Sequence, residues 1–414
     1  MKTKFYLTAV ACFILLLAHA QNDGIHFENK GDWKDLLSKA KSENKYIFVD
    51  CYTTWCGPCR AMDANVYPLK EVGDFFNDKF INVKFQLDTT NKDSEQIKRR
   101  YKDAAFIYRE YKINAFPSYL FFNPDGELVH MEVGGSAPQE FIAKANKALD
   151  PQTQYYTQLK KYKAGNRDAP FLKNLTLLAL QANDGPAISK YAKEYYVTQT
   201  DLLSKENLEF VYMTTLNASD TGFNLMLQNL GLFEAVVDSQ RLHTKLVMII
   251  IQSEFERYNA LARSSDEKKW TDFESVLIEK YHAYGEEAYM QFKTAYTLSH
   301  NDWKSYSKTV SKYISTKNPS ASALNECAWA VFQRCDDKDV LENALTWSKK
   351  SFTDQAKVEP GYIDTYANLL YKLGRNKEAL EWETKAQDIA IKQGADKSWG
   401  QDVIDKIKKG EKTW

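Results

Sequence analysis

The hydrophobic positions between residues 27 and 149 change repeatedly from helical to strand spacing. Apolar residues three or four positions apart, beginning at Trp33, predict an amphipathic helix. The almost wholly apolar run at residues 46–49 predicts a strand that is covered on both faces. Alternation over residues 81–87 predicts a second strand. The charged stretch at residues 94–112 has the spacing of a partly amphipathic helix, so helices and strands are expected to alternate here.

Two further apolar runs, residues 117–122 and 128–133, flank the turn sequence Asn123-Pro124-Asp125-Gly126 and predict a β-hairpin. The sequence Ser136-Ala137-Pro138-Gln139 has the pattern of a capping box that opens a last helix. The order of these elements indicates an α/β domain at residues 21–150.

The sequence changes character after Asp150-Pro151. Strand patterns and turn dipeptides become rare, and helix formers with aromatic residues at helical spacing continue to Lys409. We therefore predict a domain boundary at this point, followed by an all-α region. The apolar run at residues 246–251 is too short to cross a bilayer and is interpreted as a buried helix.

Residues 321–414 contain a sequence repeat. Small residues recur where two helices must approach closely, and Ala344 precedes Ala379 by 35 positions. This spacing resembles the tetratricopeptide period of about 34 residues. Such units need stacked neighbours to bury a core, so residues 151–320 are either degenerate repeats or an irregular helical bundle. A helical array of this kind implies a protein partner.

The first twenty residues have the form of a signal peptide. Lys2 and Lys4 precede an apolar core, and Ala18-His19-Ala20 is a small-x-small cleavage site. Cleavage before Gln21 would leave a periplasmic or extracellular protein. An uncleaved anchor and lipoprotein processing at Cys12 are the alternatives.

Charge bears on the partners of the protein, and cysteine content bears on its redox compartment. The 414 residues carry 55 basic and 55 acidic side chains, which gives no electrostatic reason to expect nucleic acid as a partner. Of the six cysteines, one lies in the predicted signal peptide, and the others would enter a compartment where disulfides persist.

Cys56 and Cys59 form a Cys-x-x-Cys pair directly after a predicted strand and at the start of a predicted helix. Unpaired N–H groups and the helix dipole stabilise a thiolate at a helix start, so Cys56 is expected to be the attacking sulfur. Cys59, one turn further along, can attack the mixed disulfide and release the product. The pair is therefore expected to cycle between dithiol and disulfide.

The sequence Trp55-Cys56-Gly57-Pro58-Cys59 resembles the active-site motif of the thioredoxin superfamily. The resemblance extends from Trp33 to Leu149. It includes Asp50 in the strand before the motif, Lys84 in the next strand, Phe116-Pro117 at the family's cis-proline and Gly134 at its late glycine. The resemblance implies a thioredoxin-like fold for the α/β domain. The all-α, tetratricopeptide-like region predicted above follows this domain.

The resemblance also implies roles for these residues. Asp50, assisted by Lys84, would be a buried carboxylate that accepts the proton of Cys59. Pro117, expected to be cis, would face the disulfide and leave neighbouring backbone groups free for substrate. Trp55, Pro58 and Phe116 would shape the substrate-binding rim. No dissociable cofactor is implied.

Competing roles for the cysteines have less support in the sequence. Structural zinc needs four ligands, and there is no second Cys-x-x-Cys pair, so no metal site is predicted. Cys51 stands where the family usually has an apolar residue and is expected to pack as one. Cys327 and Cys335 are interpreted as core residues, or as a pair if a turn separates them.

The sequence therefore predicts an exported thiol-disulfide oxidoreductase, a reductase or isomerase of protein disulfides that depends on an unidentified electron donor. The alternative is a binding or assembly protein whose helical repeats recruit a partner. The segment 89–112, longer than in minimal thioredoxins, argues against docking of cytoplasmic thioredoxin partners.

Overall fold

The computed structural model describes residues 24–264, 266–317, 319–353 and 358–414. The predicted signal peptide, residues 1–20, lies outside the described residues, as does Cys12 within it. The chain divides into two compact units. The first comprises the described residues up to Leu216 together with Asp220–Val236, and the second comprises Asn217–Ser219 and Val237–Trp414.

The first unit begins with an α/β domain built on a four-stranded sheet. The strands, in the order β2-β1-β3-β4, are β1 (Tyr46–Tyr52), β2 (Phe80–Gln86), β3 (Ser118–Phe122) and β4 (Leu128–Val133). β1 is parallel to β2 and antiparallel to β3, and β3 and β4 form the predicted hairpin. The helices of this domain are α1 (Trp33–Glu43), α2 (Gly57–Asn65), α3 (Lys70–Lys79), α4 (Glu95–Arg99), α5 (Tyr101–Glu110) and α6 (Pro138–Lys147). The predicted α/β fold class is confirmed.

β1 lies inside the sheet, and its five central residues are buried. The apolar run at residues 46–49 predicts this, because a strand covered on both faces has no exposed positions. The ring of Phe48 lies 4.8 Å from that of Phe76, 5.4 Å from that of Phe121 and 5.9 Å from that of Phe141. These contacts pack α3 and α6 on the sheet and hold β1, which leads into the Cys56 loop, in place.

The charged stretch at residues 94–112 forms two helices, whereas its pattern predicts a single helix. α4 ends at Arg99 and α5 begins at Tyr101, with Arg100 between them at φ −94° and ψ 0°. The N–H of Arg100 bonds to the carbonyl of Ile97, three residues back, which tightens the turn and separates the helices.

The predicted capping box at Ser136 is wrong. The N-cap of α6 is Ala137, which makes no side-chain cap, and the buried Ser136 hydroxyl has no hydrogen-bond partner among the described residues. Pro138 fills the first helical position instead, where a missing N–H costs nothing. A true capping box joins Asp32 and Asp35 at the start of α1.

The rest of the first unit is helical. Its helices are α7 (Tyr155–Lys163), α8 (Ala169–Gln181), α9 (Gly185–Val197), α10 (Lys205–Thr214), α11 (Thr221–Gln228) and α12 (Leu230–Glu234). The change from α/β to all-helical structure follows Asp150-Pro151, whereas the division into compact units falls later in the chain. α7 packs against the edge strand β4, so these helices share a compact unit with the sheet.

The second unit is entirely helical in its described residues. Its helices are α13 (Ser239–Ala262), α14 (Glu267–Ser299), α15 (Trp303–Lys317), α16 (Ala321–Arg334), α17 (Lys338–Phe352), α18 (Pro360–Lys372), α19 (Asn376–Lys392) and α20 (Gln401–Lys409). The apolar run at residues 246–251 lies in α13, and most of it is buried as predicted. Across the described parts of the chain, no helix has the length and apolar character needed to span a membrane.

Small residues line the contacts of the last helices. α16 packs against α17 and α18 against α19, and Ala328, Ala344, Ala367 and Ala379 are fully buried in these helices. These alanines agree with the prediction from sequence that small residues lie where two helices approach closely. The assignment of this packing to tetratricopeptide repeats stays a prediction.

Among the described residues, three cysteines outside the Cys-x-x-Cys pair are free. Cys51 is fully buried in β1, Cys335 is buried at the end of α16, and Cys327 is partly buried. Cys327 and Cys335 are therefore not joined in this structure, and all three pack among other side chains.

Candidate active site

The loop after β1 brings Cys56 to the start of α2. The N–H of Cys56 donates to the carbonyl of Thr53 at 3.2 Å, and Cys56 is the N-cap of α2, with extended backbone angles. Its Sγ accepts the N–H of Cys59 at 3.1 Å. Pro58 occupies the first turn, where its missing N–H removes one of the unpaired donors. The sequence therefore ends the strand, turns and begins the helix at the cysteine pair.

Cys56 and Cys59 are joined by a disulfide with their Cα atoms 5.3 Å apart. Both residues are buried, with 3% and 4% of their surface exposed. The hydrogen bond from Cys59 to Sγ of Cys56 and the N-terminal position on α2 stabilise negative charge on Cys56 when the bond is reduced. Exposure does not distinguish the two sulfurs, but helix position favours Cys56 as the attacking one.

The loop before the disulfide is anchored by polar contacts that the sequence interpretation missed. The N–H of Thr54 donates to the carboxylate of Asp88 at 3.0 Å, and Arg60 donates from Nη1 to the Thr54 carbonyl at 3.0 Å. Arg60 therefore ties α2 to the loop. No sequence pattern marks this contact, because it joins a side chain to a backbone carbonyl six residues earlier.

An aromatic pair lies beside the disulfide loop. Trp55 is 67% exposed, and its ring meets that of Phe116 edge to face at a centroid distance of 5.6 Å. The peptide bond between Phe116 and Pro117 is cis, as predicted. The Pro117 carbonyl accepts the N–H of Gly134 at 2.9 Å, and Gly134 has a φ of +91°, which favours glycine there. The structure thus brings Trp55 and Phe116 together at the site.

Asp50 is a buried carboxylate in β1, with 1% of its surface exposed. It pairs in register with Lys84 of β2, and Lys84 Nζ lies 3.5 Å from Oδ2 of Asp50. Burial raises the pKa of Asp50 to about 6, nearby Asp63 adds to the rise, and the Lys84 ammonium opposes it. Oδ1 of Asp50 has no hydrogen-bond partner among the described residues. The two residues predicted to act together are therefore neighbours, and Asp50 is poised to titrate near neutral pH.

Asp63 is a third charged residue here, and the sequence interpretation did not include it. Lys84 donates a hydrogen bond to Oδ1 of Asp63 in α2, so the ammonium lies between two carboxylates. The available signal was the position of Asp63, four residues after Cys59 on the same helix.

Among the residues that the structure describes, no three His, Cys, Asp or Glu side chains lie together in a way that could hold a metal ion. The site combines the Cys56–Cys59 disulfide with two carboxylates, Asp50 and Asp63, that share the Lys84 ammonium.

Comparison with known proteins shows which family the α/β domain resembles. Residues 33–149 match the family model of the thioredoxin-like domain. Thioredoxin-2 of Pyricularia oryzae is 30% identical over 111 residues, covering 27% of this chain and 52% of the relative, so the match spans about half of that fungal protein. The H-type thioredoxin of Fagopyrum esculentum is 30% identical over 25% of this chain and 72% of its own length. The thioredoxin of Mycoplasmoides gallisepticum is 30% identical over 26% of this chain and 86% of its own length.

A solved structure is also similar. The solution structure of a provisionally assigned disulphide-isomerase from Bacteroides thetaiotaomicron has 33% sequence identity and a TM-score of 0.26, covering 32% of this chain and 98% of the other. The curated relatives and the matched family model, together with the disulfide of Cys56 and Cys59, lead to one conclusion. The chain belongs to the thioredoxin-like family, and its α/β domain is a thiol-disulfide oxidoreductase domain.

Proposed function

We propose that the protein is an exported thiol-disulfide oxidoreductase that reduces or isomerises disulfides of other exported proteins. The observation that carries the proposal is the Cys56–Cys59 disulfide at the N-terminus of α2. Cys56 at the N-cap and Cys59 in the first turn of α2 hold the two sulfurs within bonding reach on one rigid element, which suits a couple that cycles between dithiol and disulfide.

The catalytic cycle begins with the reduced pair. The Cys56 thiolate attacks one sulfur of a substrate disulfide, forms a mixed disulfide and releases the other substrate sulfur as a thiolate. Cys59 gives its proton to Asp50 and attacks Cys56, which forms the Cys56–Cys59 disulfide and releases the second substrate thiolate. Two electrons pass from the cysteine pair to the substrate, and an external dithiol donor must return them. In isomerisation, a substrate thiol attacks the mixed disulfide instead, and no net electrons are needed.

Substrate would be seated by the rim around the disulfide. Trp55 offers a largely exposed apolar ring, and Phe116 supports it edge to face. Pro58 shapes the start of α2, and Pro117 lies next to Phe116 with its carbonyl already bonded to Gly134. An exposed aromatic beside a reactive sulfur suits an extended protein chain better than a small thiol.

The proposal of export rests on the amino-terminal sequence, with cleavage before Gln21. Cell fractionation and amino-terminal sequencing of the protein from its source test it. A chain that begins at Gln21 outside the cytoplasm is the expected result. A cytoplasmic chain that retains residues 1–20 would refute it.

A second candidate function is recruitment of a protein partner by the helical part of the chain. Met248 and Phe255, two helical turns apart on α13, are 56% and 48% exposed and form an apolar stripe. Large exposed apolar side chains in line are typical of an interaction surface. The predicted repeat array would add to it.

The deciding experiment is the reduction potential of the Cys56/Cys59 couple in the mature protein, measured against glutathione and dithiothreitol with Cys56→Ser as the control. A potential near −270 mV, about that of thioredoxin, identifies a reductase. A potential near −180 mV, about that of disulfide isomerase, identifies an isomerase. If no reversible couple is found, the catalytic proposal is refuted and partner recruitment takes its place.

A further inference from the structure

Lys84 connects a buried carboxylate with an exposed one. Its Nζ lies 3.5 Å from Oδ2 of Asp50 and donates a hydrogen bond to Oδ1 of Asp63. The Asp50 side chain is 2% exposed, whereas that of Asp63 is 45% exposed. Of the two carboxylates, the more exposed one, Asp63, lies closer to the ammonium.

Aromatic rings enclose the Lys84 ammonium. Nζ lies 4.7 Å from the ring centre of Tyr52, 5.2 Å from that of Tyr67 and 5.3 Å from that of Phe27. Rings at this distance attract a cation and displace water. Because the lysine side chain is 21% exposed and that of Asp50 only 2%, the interaction between these two is weakly screened, whereas water screens the interaction of Lys84 with the more exposed Asp63 to a greater extent.

The division of the ammonium between two partners leaves Asp50 incompletely stabilised. Oδ1 of Asp50 lacks a hydrogen-bond partner among the residues described, and Oδ2 lies 3.5 Å from Lys84 Nζ; the hydroxyl of Tyr67 also favours the ionised carboxylate. A lysine bonded to Asp50 alone would hold that carboxylate ionised and make it a weak base. The charge of Asp63 acts in the opposite direction, both through space and by holding the ammonium.

We propose that Asp63 is a positioning residue of the redox site: by holding the Lys84 ammonium, it keeps Asp50 able to take up and release a proton while Cys59 resolves the mixed disulfide. The inference rests on the proposed redox function and adds a residue that regulates its proton transfer. The contact that carries this role is the hydrogen bond from Lys84 to Asp63, so Asp63 acts on Asp50 through the ammonium.

The step served by this arrangement is balanced. The proton of the Cys59 thiol passes to the Asp50 carboxylate. The Cys59 sulfur forms a bond to Cys56, the bond from Cys56 to substrate breaks, and the substrate sulfur leaves with the electron pair. Asp50 must then lose its proton to water before the next cycle, which requires a carboxyl that exchanges its proton near the working pH.

Apart from Lys84 and Asp63, the titratable groups around Asp50 are uncharged near pH 7. The groups that interact with it are Lys84 from β2, Asp63 from α2, Tyr67 from the segment after α2, Tyr119 from β3, and Cys51 and Tyr52 from β1 itself. Burial raises the pKa of each of these tyrosines and of the Cys51 thiol, so they stay neutral near pH 7. Lys84 and Asp63 are thus the charged groups among them.

The first test is a carboxyl-carbon NMR titration of Asp50 in the oxidised mature protein, in wild type, Asp63→Asn, Asp63→Glu and Asp74→Asn. Asp74 is the matched control, because it is an exposed aspartate of the same domain paired with Lys70. Asp63→Asn removes a negative charge and frees Lys84 for Asp50, so the Asp50 midpoint should fall by about one pH unit. Asp63→Glu should retain most of the wild-type midpoint, and Asp74→Asn all of it. An unchanged midpoint in Asp63→Asn, or an equal fall in Asp74→Asn, would overturn the proposal.

The second test is the pH dependence of product release from the Cys56 mixed disulfide, measured in a single turnover. The Asp63→Asn profile should shift to lower pH by the same amount as the titration, and the substitution should have no effect in an Asp50→Asn background. A profile that does not move overturns the role of Asp63 even if turnover is normal. If the wild-type protein shows no turnover, the proposed function fails, and the NMR titration alone still decides whether Asp63 controls Asp50.

Discussion

The backbone N–H of Tyr155, the first residue of α7, donates a 3.2 Å hydrogen bond to Nδ1 of His130 in β4. His130 is fully buried, and its Nε2 lies 3.4 Å from Oε1 of the buried Glu132. Because Nδ1 accepts, the network assigns the proton of the neutral ring to Nε2, which points to Glu132. One imidazole therefore joins the edge strand of the sheet to the first helix that follows the α/β domain.

His130→Leu should loosen α7 from the sheet. The substitution leaves the Tyr155 N–H without a partner in a buried place, which costs about 1–3 kcal/mol. Hydrogen exchange should show faster exchange of the Tyr155 amide and a lower free energy of unfolding of the first unit. Lys161→Gln, at an exposed position on α7, is the control and should change neither. Equal exchange rates in His130→Leu and wild type would refute the link.

Asp50→Asn should stabilise the protein at neutral pH and leave it unchanged in acid. Burial raises the pKa of Asp50 to about 6, so the folded state keeps a proton that the unfolded state releases above pH 4. The wild type therefore loses stability as the pH rises from about 4 to about 6, by about 3 kcal/mol in total. Urea denaturation across this range measures the effect.

The same substitution should slow catalysis. Without the Asp50 carboxylate, release of substrate from the mixed disulfide should fall by about 100-fold at pH 7, the lower end for loss of a general base. The stability prediction above would be contradicted if the difference in the free energy of unfolding between wild type and Asp50→Asn did not change with pH.

Glu383→Gln should make the second unit less sensitive to alkaline pH. The Glu383 carboxyl is fully buried, and when protonated it donates a hydrogen bond to the neighbouring carboxylate of Asp364. Burial, with the neighbouring Asp364, holds the pKa of Glu383 well above its usual range. Its protonated form stabilises the fold below the ordinary carboxyl pKa, and this contribution is lost as the pH rises toward the raised value.

The measurement is thermal unfolding of the mature protein at pH 5 and pH 8.5. The wild type should lose stability between the two, and Glu383→Gln should lose less. The exposed Glu381, also on α19, provides the control Glu381→Gln, which should behave as wild type. If both substitutions give the same pH dependence, the buried acid is not responsible.

Trp55→Ala should weaken binding of protein substrates without destabilising the domain. Trp55 is 67% exposed, so little buried surface is lost, but its ring forms the rim beside the disulfide with Phe116. The KM for a disulfide-bonded protein should rise by about 10-fold, as for truncation of an aromatic contact worth roughly 1–2 kcal/mol. Reduction of a small aromatic disulfide should change less.

Phe106→Ala is the matched control, because Phe106 is a 43% exposed aromatic of the same domain on α5. It should leave both KM values near those of the wild type. If Trp55→Ala affects protein and small disulfides equally, the ring acts on the cysteines and not on substrate binding.

Local sequence pattern predicted the strands and the cysteine pair because these features depend on neighbours in the chain. The apolar run at residues 46–49 requires a strand covered on both faces, and the turn sequence at residues 123–126 closes a hairpin. Pro58 after Cys56 marks a helix start. The same local reasoning failed at Ser136, because the proline at residue 138 and the tertiary surroundings set the helix start there.

The sequence by itself determined the α/β fold class, the position of Cys56 at a helix start and the all-helical character of the region after Asp150. These follow from periodicity, turn chemistry and a motif, all of which lie within short stretches. Tertiary structure alone decided that Lys84 lies between Asp50 and Asp63, and that His130 receives the first N–H of α7. Each of those contacts joins residues more than twenty positions apart, and only packing of the whole unit fixes their distance and burial, and hence their charge state.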